Sequence, residues 1–214
     1  MTITEPDSAA SEAFRTVRTN LFYAIADEPP KVILFTSARS HEGKSTVCAN
    51  LGVVLAQAEK NTLVVDCDLR KPVLHKMFGE RNLRGVVNVL VDELSLQEVW
   101  WEPLTGLKVV SVGPVPLNPA ELLSSRRFAE FLRQARELFD YVLLDAPPTQ
   151  VVADAAIIAA QGDGVLFVLD AQNTPKRTVR RGMYGLEAVG ANVLGTVMNN
   201  VKASQGTFYQ GYTY

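Results

Sequence analysis

The chain alternates short, uninterrupted runs of apolar, β-prone residues with longer stretches whose apolar residues recur every three or four positions. Runs at 31–37 (KVILFTS), 61–66 (NTLVVD), 107–113 (LKVVSVG), 141–145 (YVLLD), 164–170 (GVLFVLD) and 191–199 (ANVLGTVMN) read as strands. Lacking a polar face, they must be covered on both sides. Helical periodicity fills 11–26, 45–60, 125–139, 152–161 and 176–189. The stretch 67–106 is mixed and reads as helical in pieces, around 85–101. Apolar strands separated by helices predict a doubly wound α/β fold, a mostly parallel sheet with helices on both faces. Ligands of such sheets sit beyond the carboxyl ends of the strands, so the loops there are where chemistry belongs.

At 214 residues the chain suits one domain, expected over 11–200, with a flexible polar leader at 1–10 and a flexible tail at 201–214. Ser11 is the expected cap of the first helix, whose Phe14, Val17, Leu21 and Ile25 share one face. Apolar residues at 47% and charged residues at 21% exclude wholesale disorder. A net charge of −2 gives no basis for a nucleic-acid coat. Two cysteines, Cys48 and Cys67, cannot make a disulfide framework and suit a reducing compartment. With no signal-peptide pattern and no long apolar run, the expectation is a cytoplasmic protein without its own anchor.

Ala38-Arg39-Ser40-His41-Glu42-Gly43-Lys44-Ser45 follows a strand and opens a helix. It fits the phosphate-loop pattern, with alanine for the first glycine. Backbone N–H groups curled round an anion and the positive end of a helix suit a nucleotide's phosphates. Gly43 permits close approach, Lys44 meets the outer phosphates, and the Ser45 hydroxyl suits Mg²⁺. Thr46 is expected to pack or to bind phosphate through its N–H. Asp66 and Asp68 end one strand and Asp145 another. If those strands flank the loop, the carboxylates converge on ATP and its Mg²⁺, Asp145 holding the metal through water and Asp66 polarising an attacking hydroxyl. Alone, such aspartates are ordinary turn formers or caps.

The order ARSHEGKST, LVVDCDLRKP, YVLLDAPP resembles the bacterial tyrosine kinases of capsule and exopolysaccharide export, relatives of the deviant phosphate-loop ATPases of partition and division-site type. LNPAELL at 117–123 and GANVLGTVMNNV at 190–201 are similar to family segments. Glu12, Arg15 and Arg18 reproduce the family's E-x-x-R-x-x-R pattern, and Tyr209, Tyr212 and Tyr214 resemble its autophosphorylation tail. The resemblance implies an ATP- and Mg²⁺-dependent kinase acting on its own tyrosines and on other protein tyrosines, with no nucleic-acid partner. It implies catalytic roles for Lys44, Asp66, Asp68 and Asp145, metal binding by Ser45, Asp68 and Asp145, and nucleotide contacts from residues 39–46. Asn199 or Asn200 would touch the adenine edge. It also implies a ring-like homo-oligomer formed through the first helix, and a membrane-bound co-polymerase or activator, fused or separate, that holds the protein at the inner membrane.

One departure is Ser40-His41, where family members commonly carry Pro-Gly. Two other readings stay open: an ATP-driven positioning switch and a nucleotide-binding scaffold with weak catalysis. By pattern alone, Glu12, Arg15 and Arg18 lie mainly off the core face of the first helix, as a solvated face with a Glu–Arg pair. Lys176, Arg177, Arg180 and Arg181 are either a solvated stripe or a docking surface for an acidic partner or lipid head groups. Trp100-Trp101, in a stretch read as helical, is favoured as a core edge over a partner patch.

Overall fold

The computed structural model describes residues 2, 4–23 and 29–202. The tail tyrosines Tyr209, Tyr212 and Tyr214, and Ile25, lie outside the described residues. Seven strands form one sheet: β1 (Val32–Ser37), β2 (Thr62–Asp66), β3 (Trp100–Leu104), β4 (Leu107–Val110), β5 (Tyr141–Asp145), β6 (Gly164–Asp170) and β7 (Val193–Asn199). Their order is β3-β4-β2-β5-β1-β6-β7, and every pairing is parallel except β3 with β4.

The helices are α1 (Ala9–Tyr23), α2 (Lys44–Ala56), α3 (Leu74–Met77), α4 (Val86–Val91), α5 (Pro119–Leu123), α6 (Arg126–Leu138), α7 (Asp154–Ala159) and α8 (Lys176–Glu187). Leu21 of α1 packs with α2 and Leu74 of α3 on one face of the sheet. Residues of α4 to α8 pack on the other. The apolar strands are covered on both sides as their composition requires. α2 is apolar all round because it lies between the sheet and α1. Gly52 lets it approach the sheet closely, since a Cβ there would stand 2.5 Å from Val64 Cγ2.

Three sequence expectations change. The Trp100–Trp101 stretch is a strand, not helix: with a period of two, Trp100 packs in the α4–α8 core and Trp101 in the α1–α3 core. Trp100 meets Phe139 edge-on, with ring centroids 5.5 Å apart. Gly106 turns the hairpin with φ 83°, and Pro103 is tolerated because β3 is an edge strand. The cap of α1 is Ser8 rather than Ser11: its Oγ accepts the Ser11 N–H at 3.2 Å. Within the expected leader, Thr2 is buried and donates both its N–H and Oγ1 to Asn50 Oδ1, each at 2.8 Å.

Candidate active site

With β5 between β2 and β1, Asp66 and Asp145 stand side by side in register, and Phe35, two residues from the end of β1, is Asp145's other neighbour. The phosphate loop leaves β1 and enters α2 at Lys44. His41 (φ 67°) and Gly43 (φ 90°) are both left-handed, a region that favours glycine. His41, where the resemblance leads to the expectation of glycine, takes a backbone conformation that glycine adopts freely. A Cβ on Gly43 would lie 2.0 Å from Asn199 Nδ2, which donates to the Glu42 carbonyl at 3.1 Å. The Glu42 side chain turns inward and is buried. It accepts the Arg39 N–H at 2.8 Å and the Thr174 hydroxyl, so it braces the loop instead of facing a ligand. Val47 N is bonded to Gly43 O; the helix N–H groups before it have no carbonyl four residues back and are available to an anion.

Lys44 Nζ lies 3.2 Å from Asp145 Oδ1, 3.4 Å from Asp68 Oδ2 and 3.2 Å from Ser45 Oγ. Burial alone would lower the ammonium pKa; the charge of Asp145, then that of Asp68, holds it above the ordinary value. Burial raises Asp145, opposed first by Lys44. A cavity of about 350 Å³ opens over Lys44, Ser45 and Asp68, with Ser40, His41, Gly43 and Thr46 also in its lining; Asp145 is fully buried behind Lys44 and does not line it.

Asp66 differs from expectation. Its Oδ2 accepts the N–H groups of Val73 (2.9 Å) and Leu74 (3.0 Å), and its Oδ1 that of Asp68 (3.2 Å). It therefore shapes the loop after β2 and starts α3, and it does not line the cavity. Burial, then the charge of Asp145, pushes its carboxyl up to about 7. Asp68 is the acid of that pair on the cavity wall. Asn199, expected with Asn200 at the adenine edge, has its amide on the Glu42 carbonyl of the loop; Arg39 is exposed and contributes main chain to the loop. Sequence reasoning missed Lys71, Val73, Met77 and Pro148 on the cavity wall. It also missed the pair between Arg70 and buried Asp154, with Nε–Oδ2 2.8 Å and Nη2–Oδ1 3.2 Å. That pair ties the β2 loop to α7 across 84 residues of sequence, and no local spacing announces it.

On the first helix, Glu12 and Arg15 form an outward pair at 2.9 Å. Arg18 instead turns onto α2, donating to the Val54 carbonyl at 3.0 Å. A guanidinium there meets the negative end of α2.

The donor set suits Mg²⁺. Asp145 Oδ2 is buried without a hydrogen-bond partner among the described residues. Ser45, Asp68 and Asp145 could supply hard oxygen ligands. Among the described residues no cluster of three or more His, Cys, Asp or Glu could hold a metal unaided. A few protein oxygens completed by phosphates and waters is how Mg²⁺ is commonly held.

A phosphate loop at a helix start, flanked by strand-tip carboxylates in a doubly wound sheet, defines a P-loop nucleotide-binding protein. Residues 29–207 match the ParA family model, described as NUBPL iron-transfer P-loop NTPase. The chain is 40% identical to tyrosine-protein kinase YwqD of Bacillus subtilis over 98% of its own length and 89% of the relative's. It is 34% identical to the putative tyrosine-protein kinase CapB of Staphylococcus aureus, covering 97% of this chain and 92% of that one. It superposes on the kinase domain of Escherichia coli tyrosine kinase ETK with a TM-score of 0.91 and 30% identity, over 100% of this chain and 83% of that one. The chain belongs to the bacterial tyrosine-kinase family. These relatives favour the kinase reading over the positioning switch and the scaffold. No helix among the described residues is long and apolar enough to cross a membrane.

Proposed function

We propose that this chain transfers the γ-phosphoryl group of ATP to tyrosine hydroxyls, among them Tyr209, Tyr212 and Tyr214 of its own C-terminal segment, and that it does so in the control of capsule or exopolysaccharide export. The observation that carries the reading is Lys44 held between Asp145 and Asp68 at the mouth of the phosphate loop. Main-chain N–H groups of residues 40–46 cradle the phosphates, and Lys44 turns from its carboxylates to the outer phosphate oxygens. Ser45, Asp68 and Asp145 would hold Mg²⁺, which would neutralise phosphate charge for in-line displacement. The phenolic oxygen forms the new bond to phosphorus as the bond to the β-phosphate oxygen breaks. The phenolic proton would pass to Asp68 Oδ2, the oxygen freed when Lys44 turns to the phosphates, while Asp68 Oδ1 keeps the Lys71 N–H. That is the role expected of Asp66, both of whose oxygens accept main-chain N–H groups. Free tyrosine has a pKa near 10, so this acceptance accompanies attack.

The segment from Asn200 to Tyr214 has 15 residues and a maximum reach of roughly 50 Å, enough to enter a neighbouring subunit's site. A ring-like homo-oligomer would use the outward Glu12–Arg15 face of α1. Arg18, anchored on α2, would serve that interface by holding the helix in place. Association with a membrane-bound activator, fused or separate, would hold the protein at the inner face of the membrane.

The test starts from phosphatase-treated protein incubated with Mg-ATP, with phosphotyrosine mapped by mass spectrometry. Phosphate on residues 209–214 of the wild type and its loss in Lys44→Met is the expected result. Equal phosphotyrosine in the Lys44→Met protein would defeat the assignment.

A further inference from the structure

A second cavity, about 470 Å³, opens between α8 and β7, away from the nucleotide site. Leu169, Val179, Met183 and Met198 give it an apolar floor. Lys176 and Arg180, one helical turn apart on α8, stand at its rim. Arg177 and Arg181 are exposed beside them, and among the described residues none of the four cations is paired with a carboxylate. Glu187, also in the lining, lies seven residues beyond Arg180, so positive charge dominates the end where α8 begins. Tyr184 is 70% exposed and Met198 60%, so the apolar floor is open to solvent. Such a groove suits a ligand that is both aromatic and dianionic.

The chain itself supplies one. β7 is an edge strand, and the polypeptide leaves it at Asn199, next to Met198 of the groove. That exit is fastened by Ala171 N to Asn199 O (2.9 Å) and by Gln172 Nε2 to Asn200 O (2.7 Å). Residues 203–214 include three tyrosines and no Asp, Glu, Lys or Arg. Tyr209 is ten residues from Asn199, a reach of up to about 33 Å, while α8 is only about 18 Å long. The tail can therefore reach this rim within one chain.

We propose that the α8–β7 groove captures the phosphotyrosine form of the chain's own 203–214 segment; the biological role rests on the kinase reading above. The ring lies on Val179, Met183 and Met198, and the phosphate meets Lys176 and Arg180 in charge-assisted hydrogen bonds. Each phosphate brings about −1.5 to −2 charges to a segment with no charged side chain, so capture depends on modification. The short tether raises the local concentration of the tail to roughly millimolar. A seated tail is withdrawn from a neighbour's active site. Thr174, which also lines the groove, hydrogen-bonds Glu42 of the phosphate loop, so groove and nucleotide site share one connecting loop.

The experiment uses full-length, phosphatase-treated protein and a synthetic fluorescent peptide of residues 203–214 bearing phosphotyrosine at 212. Because the phosphate is placed chemically, binding is read independently of kinase activity. The phosphopeptide is expected to bind at least about tenfold more tightly than its unphosphorylated form, and Lys176→Ala/Arg180→Ala to remove that advantage while Arg126→Ala on α6 keeps it. Equal binding of the two peptides overturns the proposal, as does phosphopeptide binding untouched by the double substitution. So does displacement by inorganic phosphate at the peptide's own affinity. Loss of binding to phosphatidylglycerol vesicles with phosphopeptide binding intact would assign the stripe to lipid and equally overturn it.

Discussion

Replacing Gly43 by alanine tests the packing of the phosphate loop on the last strand. Two costs are expected. A left-handed backbone (φ 90°) costs an L-residue about 1–2 kcal/mol, partly offset by about 0.4–1 kcal/mol from a less flexible unfolded chain. The new Cβ would also fall 2.0 Å from Asn199 Nδ2 and displace that amide, losing its bond to the Glu42 carbonyl, about 0.5–1.5 kcal/mol. The sum is about 2 kcal/mol, or a fall of roughly 4–8 °C in Tm for a chain of this size. Urea denaturation of nucleotide-free protein measures it. The decisive comparison is the same change in an Asn199→Ala background, where only the backbone cost remains. The two substitutions should then be non-additive by about 1 kcal/mol. Additivity within about 0.3 kcal/mol would refute the reasoning, because Gly43 and Asn199 would then not share a contact.

Arg70→Ala should destabilise the protein by about 1–3 kcal/mol. This is less than the 3–5 typical of a broken buried pair, because Arg70 is itself 41% exposed while Asp154 is 1% exposed. Adding Asp154→Ala should recover part of the loss in a thermal melt. For Asp66, a folded pKa of about 7 against about 3.9 in the unfolded chain means protons are held more tightly in the folded state. That contribution is fully present below pH about 4 and is lost as pH rises through about 7, a change on the order of 2–4 kcal/mol. Asp145 shifts in the same direction. Urea midpoints of nucleotide-free protein should fall between pH 5 and pH 8, and Asp66→Asn should flatten the decline; an equally steep fall in the variant would count against Asp66 as its source.

The phosphate loop was legible because its signal is local: one strand, one glycine, one lysine, one helix start. The convergence of Asp68 and Asp145 needed strand order, and all-apolar strands made a parallel sheet the natural way to bring their tips together. What escaped reading depends on contacts that sequence spacing does not encode. Asp66 is claimed by N–H groups seven and eight residues later, which only the fold of the intervening loop delivers. Trp100 and Trp101 sit on a two-residue period too short to separate from helix by pattern, and the hairpin at Gly106 decides it. Arg18 looked like part of a charged outer face, yet the free carbonyl at the end of α2 draws it inward. Ser8 and Ser11 are both plausible caps, and the bond from Ser11 Oγ to the Glu5 carbonyl (2.6 Å) leaves Ser8 to serve.

The central claim is that the acids gathered round Lys44 beside the phosphate loop hold Mg²⁺ at a bound nucleotide. Calorimetric titration of ADP with and without Mg²⁺, in wild type and Asp145→Asn, addresses it directly. Wild type should bind ADP more tightly with Mg²⁺, and Asp145→Asn should keep metal-free ADP binding while losing most of that enhancement. An undiminished Mg²⁺ effect in Asp145→Asn would contradict the claim.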